Sequence, residues 1–406
     1  VFEKLTSLSI HGEFIHTDQD LKGFLNLKGL THLKLSISLL SSGKNALPLK
    51  TLVGMENCSE LQELSIDGCA KLIDVEGING CQKLKSIELS EAKRLENLNG
   101  LKGLKSLKTI NINDAEALDN LDGLKGCDSL EEIKIDGSNY SGNKKIKQPI
   151  KNVDGLIGLK KLKDLNLSSF NSLKNVDGLK GCSDLSYLNI SSDSLENING
   201  LKNLKALRAI QLDTVKLNNI DGLSGCENLD DFNIQSKDIK NLNGLKGCDK
   251  LQELNIPSSA KSLNLDGLAS MNSLRVVNFR DCEIKSFDFT QKIPPITYAD
   301  IKSSNQIKSL EGIGNLINLE KIIIKDCTNL ENLKGIENIK TLESVIIQDC
   351  KSLKDVKALL SLPKLKVFKM RSCGIKKEEL PGHLKVIVET TISHMDEDSY
   401  SFRDKK

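Results

Sequence analysis

The chain has 406 residues, with 57 Lys plus Arg against 55 Asp plus Glu, 11 Cys, no Trp and an aromatic content of only 3%. A formal charge of +2 gives no general pull toward nucleic acid or an anionic membrane, and no uninterrupted apolar run is long enough to span a bilayer. The length exceeds one compact core of ordinary size, so the choices are two or three domains or one open repetitive architecture, and the large aromatic side chains that anchor globular cores are scarce.

Taken in chain order, the elements repeat. Aligned on the Leu or Ile that opens each unit, the starts fall at Leu5, Leu30, Leu61, Leu84, Leu107, Leu130, Leu162, Leu185, Leu207, Leu229, Leu251, Leu274, Ile296, Leu319, Leu342 and Leu365. That makes 16 units, most of them 22 or 23 residues long. In the clean copy from Leu185, the apolar pair Leu188 and Ile190 is spaced for a short strand with one face inward. Leu195, Ile198, Leu201 and Leu204 follow at intervals of three, which predicts short 3-10 or helical turns. One unit cannot bury its apolar edge alone, whereas stacked units share a continuous aliphatic core that needs no Trp. The Asp154-Gly155, Asn199-Gly200, Asp221-Gly222 and Asn243-Gly244 pairs recur at one register and are expected to set the bend into the second run.

This pattern resembles the leucine-rich repeat family, closest in spacing to the 22-residue class shared by phosphatase-regulator and internalin-type repeats. The resemblance covers roughly residues 5 to 375. It implies a right-handed, curved horseshoe solenoid of the α/β class, with a parallel sheet on the concave face and short 3-10 turns on the convex face. Departures are the 23-residue copies, the cysteine positions and two long units, with insertions near 41–47 and 137–147. Each insertion is either a tolerated bulge or an added contact. We expect a repeat array over 1–375 and a C-terminal cap and tail over 376–406, with the apolar run from Leu380 to Ile392 as the cap. Only four residues precede Leu5, which leads us to expect further sequence or another chain covering the N-terminal edge.

All eleven cysteines fall on two registers. Cys58, Cys81, Cys127, Cys182, Cys226 and Cys248 lie three residues before an opening Leu, and Cys69, Cys282, Cys327, Cys350 and Cys373 lie eight after one. No Cys-x-x-Cys pair occurs, so these are expected to be packing residues, neither metal ligands nor disulfides, and free thiols favour a reducing compartment. The histidines (His11, His16, His32, His383, His394) cluster at the two ends without a recurring acid or nucleophile. His11 and His32 could meet on adjacent strands. Asn-x-Ser sequons stand at Asn57, Asn139, Asn166 and Asn189. We expect no catalysis, no cofactor and no metal.

The readable positions are those two, four and six residues after each opening residue, which alternate onto the concave face. Units from Leu61 to Leu251 place Glu63, Asp67, Glu88, Glu132, Asp136, Asp164, Asp213, Asp231 and Glu253 there, against Lys134 alone. From Leu274 the sign reverses to Arg280, Lys302, Lys321, Lys325, Lys369 and Arg371, against Asp300. Asn166, Asn189, Gln211, Asn233, Asn255 and Asn278 form an amide row over six successive units, read either as hydrogen bonding along the sheet or as a recognition strip. Ile323 and Ile346 take the same position further on, with Val276, Tyr298, Val367 and Gln348 at neighbouring sites. Exposed aliphatics rimmed by cations are how interfaces look, and the patch is read either as a partner-binding surface or as strand-propensity filling.

The reading is a cytoplasmic, non-catalytic scaffold that binds a protein partner through the concave face, with neither nucleic acid nor membrane insertion. The alternatives are a secreted or surface adhesin of internalin type, and the recognition region of a larger enzyme or regulatory assembly.

Overall fold

The protein is described here by a computed structural model. It describes residues 4–11, 20–36, 46–137, 140–141, 144–145, 149–236, 238–256, 265, 267–268, 271–282, 287, 295–380 and 384. The cap beyond Leu384, the tail, His16, His383, His394, Asn139 and most of the 41–47 insertion lie outside these residues. The chain divides into two compact units, Val1–Val215 and Lys216–Lys406.

Unit 1 contains β1 (Ser7–His11), β2 (His32–Ser36), β3 (Glu63–Ile66), β4 (Ser86–Leu89), β5 (Thr109–Ile112) and β6 (Glu132–Asp136). After β6 comes a small antiparallel pair, β7 (Tyr140–Ser141) with β8 (Lys144–Lys145), inside the second expected insertion. Then follow β9 (Asp164–Ser168), β10 (Tyr187–Ser192) and β11 (Ala209–Thr214). Apart from the β7–β8 pair, the strands run parallel in chain order. Unit 2 opens with β12 (Asp231–Gln235). A second parallel sheet follows: β13 (Glu253–Ile256), β14 (Val276–Arg280), β15 (Tyr298–Lys302), β16 (Lys321–Lys325), β17 (Ser344–Gln348) and β18 (Val367–Arg371).

The register obeys the opening-Leu alignment throughout. Glu63 faces Ser86, Ser86 faces Thr109, Thr109 faces Glu132, and in unit 2 Val276, Tyr298, Lys321 and Ser344 stand opposite one another. Each of these residues is two after its opening Leu or Ile, so one repeat of sequence advances the chain by one strand.

Beneath the sheet, the second half of a coil turns on consecutive i to i−3 hydrogen bonds, as in the coil from Leu185. Leu201, Leu204 and Leu207 N–H donate to Ile198, Leu201 and Leu204 carbonyls at 3.0, 3.1 and 3.1 Å. This is the 3-10 geometry that apolar spacing of three selects, because it eclipses side chains on one edge. Leu188, Ile190, Leu195, Ile198 and Leu201 are all buried. Each contributes on the order of 2 kcal/mol through removal of its apolar surface from water.

The recurring Asp-Gly and Asn-Gly pairs act differently from the expected bend. An Asn side chain two residues before the turn's first N–H accepts its hydrogen bond, as at Asn175 to Asp177 (3.1 Å) and Asn197 to Asn199 (3.3 Å). The glycine of the pair has no left-handed backbone and is demanded by proximity: a Cβ on Gly178 would lie 2.0 Å from the Val153 carbonyl oxygen of the preceding coil. The left-handed residue is the later Gly181, at φ 89°.

Candidate functional site

In unit 1 the outward sheet positions carry the expected carboxylates, but neighbours engage many of them. Ser65 donates to Glu88 at 3.2 Å, Ser168 to Asp136 at 3.2 Å, and Lys134 pairs with Glu132 at 2.5 Å. The Glu132 hydrogen bond holds the Lys134 ammonium above its ordinary pKa. Burial pushes the Asp164 carboxyl up, Lys134 pulls it back, and one Asp164 oxygen has no hydrogen-bond partner. At the first strands, an open polar depression of about 260 Å³ is lined by Ser7, Ser9, His32, Lys34, Glu63 and Glu88, among others. The sequence reading missed it, since no unit contributes more than two of these residues. His11 and His32 do not meet: parallel pairing sets His11 opposite Ser36 and His32 opposite Ser7. His11 Nδ1 is 2.6 Å from Ser36 Oγ, and His32 Nε2 is 3.7 Å from Glu63.

The amide row exists as a register feature within each unit. Asn166, Asn189 and Gln211 are paired in succession across β9, β10 and β11, and Asn255 is paired with Asn278 across β13 and β14. Asn189 donates to Asn166 at 3.3 Å, and Asn278 donates to Asn255 and to Glu253, both at 2.9 Å. Gln211, Asn233 and Asn255 are exposed. The sequons at Asn166 and Asn189 thus lie within strands, while Asn57 is exposed and donates to the Leu25 carbonyl.

The outward face of β14 to β18 brings together the residues singled out for partner binding. Arg280, Lys302 and Arg371 are exposed, and Lys321, Lys325, Gln348 and Lys369 are half-buried. Lys321 Nζ stands 5.6 Å from the centre of the Tyr298 ring, a cation–π distance. Arg280 pairs with Asp300 at 3.2 Å.

The expectation that the apolar residues here are exposed is wrong. Val276, Tyr298, Ile323 and Ile346 form one buried cluster, at 1%, 6%, 3% and 9% of full exposure. Register explains part of this: Val276 faces Tyr298 and Ile323 faces Ile346, so neighbouring strands press these side chains together. The polar residues alongside, Asn278 and Asp300, are buried too, and Asp300 Oδ1 has no hydrogen-bond partner.

The cysteines occupy packing positions. All are unpaired, and all but the half-buried Cys373 are buried. On the first register the thiol donates to a carbonyl of the preceding coil, as Cys127 does to Leu101 at 3.1 Å and Cys81 to Met55 at 3.4 Å. Burial pushes Cys81 and Cys282 up to about 12 and Cys182 to about 11. Among the described residues, no group of three or more His, Cys, Asp or Glu is placed to hold a metal ion, and no helix is long and apolar enough to cross a membrane.

Sequential parallel strands, most of them followed among the described residues by 3-10 turns over an aliphatic core, define a leucine-rich repeat solenoid. The chain belongs to the BspA-type leucine-rich repeat region family, which matches in six copies over residues 4–131, 55–177, 162–275 and 272–396. Among solved structures, a leucine-rich repeat protein of Leptospira interrogans is similar at TM-score 0.52 and 19% identity, covering 93% of this chain and 90% of that one. The internalin InlF of Listeria monocytogenes matches at TM-score 0.49 and 18% identity, covering 85% and 87%. The comparison with curated proteins finds no match.

Proposed function

We propose that the chain is a non-catalytic scaffold that binds an acidic surface of a protein partner through the outward sheet face of β14 to β18. The supporting observation is the cationic border formed by Arg280, Lys302, Lys321, Lys325, Lys369 and Arg371 beside the apolar row of Tyr298, Ile323 and Ile346. Such a border steers and orients an anionic partner. The test is affinity purification with mass spectrometry, comparing the intact chain with a Lys325→Glu, Arg371→Glu variant of unchanged thermal melt. Specific partners should be depleted about tenfold or more, the loss expected from about 1.4 kcal/mol of binding. Equal recovery would remove this face from the reading.

On location, the surface or secreted reading is favoured over the cytoplasmic one. The chain belongs to the BspA-type family, and its repeat spacing resembles internalin-type surface repeats. The cysteines, which favoured a reducing compartment, do not discriminate: thiols this buried and this reluctant to ionise resist oxidation in either. Fractionation of cells expressing the full gene, with antibody against this chain, decides between the two. Recovery in the cytosolic fraction alone would defeat the surface reading.

A further inference from the structure

Unit 1 carries a charged surface of its own, on the edge where each coil passes from its 3-10 turn into the next strand. The residue that closes the turn is Lys102, Lys125, Ile157, Lys180 or Lys202 in successive coils, and all five share one backbone conformation, φ −55 to −59° and ψ 118 to 129°. Three residues later stand Lys105, Asp128, Lys160, Ser183 and Lys205, and three further on Lys108, Glu131, Lys163, Ser186 and Arg208. In the last set each N–H from Glu131 onward donates to the carbonyl of the member one coil earlier, at 2.8 or 2.9 Å. They therefore stack at one strand spacing, about 4.8 Å. Ten of these fifteen positions are Lys or Arg and two are acidic, in a chain whose formal charge is only +2. All ten cations are exposed.

The two acids show how this edge holds an anion. Lys163 and Lys108, from the coils on either side, converge on the Glu131 carboxylate at 2.7 and 3.4 Å. The Lys163 hydrogen bond keeps that carboxyl below its ordinary pKa. Asp128 likewise takes Lys105 at 2.5 Å, and Asp122, at the start of its turn, takes Lys125 at 2.8 Å. Two coils after Asp128 and Glu131, the coil that enters β10 has Ser183 and Ser186 in their places. Lys160 and Lys163 stand on one side of these serines, and Lys205 and Arg208 on the other; the acids nearest in sequence are Asp184 and, at the turn starts, Asp154 and Asp177. Like charges stacked on neighbouring strands repel, and an anion brought from outside relieves that repulsion.

We propose that the edge from Lys160 to Arg208 binds a linear anionic polysaccharide, whose sulfate or carboxylate groups take at Ser183 and Ser186 the places that Asp128 and Glu131 fill two coils earlier. Cations repeating about every 4.8 Å meet successive charges of an extended polymer. None of the fifteen positions is aromatic, so the edge lacks the stacking platforms on which single-stranded nucleic acid is held. The inference is independent of the partner face of β14 to β18, which lies in the other unit.

The test uses the intact chain and a heparin decasaccharide as probe. Lysines are acetylated with and without heparin, and the rate at each is read by mass spectrometry. Lys160, Lys180 and Lys202 should slow about tenfold, while Lys93, Lys151 and Lys174, exposed elsewhere in unit 1, should stay within about twofold. No protection, uniform protection, or protection confined to Lys302, Lys321 and Lys325 would overturn the proposal. A Lys160→Glu, Lys180→Glu, Lys202→Glu variant should bind heparin at least about tenfold more weakly, against less than about twofold for Lys93→Glu, Lys151→Glu, Lys174→Glu. Both variants change the charge equally, so equal losses would mean that net charge, not this edge, attracts the polymer. An oligothymidylate of equal charge that binds as tightly as heparin would overturn the assignment to a polysaccharide.

Discussion

A thiol beside a main-chain carbonyl can bridge two coils without a second side chain. Cys127 to Leu101 and Cys182 to Leu156, at 3.1 and 3.5 Å, each join one coil to the one before it. Burial is the largest cause of the raised pKa at Cys69 and Cys248, each about 12, and at Cys58, about 11. A folded pKa above the ordinary 9.0 means that the folded state holds its protons more tightly than the unfolded chain does. The resulting stability is fully present below pH 9 and is lost as pH rises through about 12. Urea unfolding should therefore show a falling midpoint between about pH 9 and pH 12. A Cys69→Ala, Cys248→Ala variant should fall less steeply over the same range, and identical slopes would deny the thiols this role. Both cysteine registers were legible in the sequence as packing positions. The carbonyl partners on the first register were not, because each belongs to the preceding repeat and depends on how closely two coils approach.

At the level of the element, two glycines three residues apart in the same turn do opposite work. Gly178 has ordinary backbone but no room, whereas Gly181 has room but a left-handed backbone: nothing lies within 4 Å of a Cβ built there. Gly178→Ala must push two coils apart and should cost about 3 kcal/mol, at the upper end for overpacking. Gly181→Ala carries only the left-handed penalty, about 1 kcal/mol. Equilibrium denaturation of the two variants gives the order, and a larger loss at Gly181 would contradict the close-approach account. The sequence reading identified the recurring glycine register and assigned it to a bend, because spacing within one chain segment cannot report the distance to the next coil.

Across the molecule, the repeat period carried the fold and the strand register, since one opening Leu per coil fixes which residue faces which. The burial of Tyr298, Ile323 and Ile346 was not legible, because exposure at an outward sheet position depends on the side chains that neighbouring strands set beside it, which the spacing within one repeat does not report. The same period predicts how damage should spread. Each coil in unit 1 is bonded to its immediate neighbours, as where Lys174 N–H donates to Lys151 and Glu196 N–H to Lys174, at 2.9 and 2.8 Å. Stability in such an array is close to a sum of coil and nearest-neighbour contributions. Gly178→Ala strains the contact between the coil that begins with β6 and the coil that begins with β9. Hydrogen exchange should accordingly quicken at Ile133 to Ile135 and Leu165 to Leu167. It should stay within about twofold of the parent at β3 and β4, which lie beyond β5, because sub-global opening is confined to the weakened neighbours. Equal acceleration in all four strands would mean that unit 1 opens only as a whole, and a nearest-neighbour sum would no longer describe it.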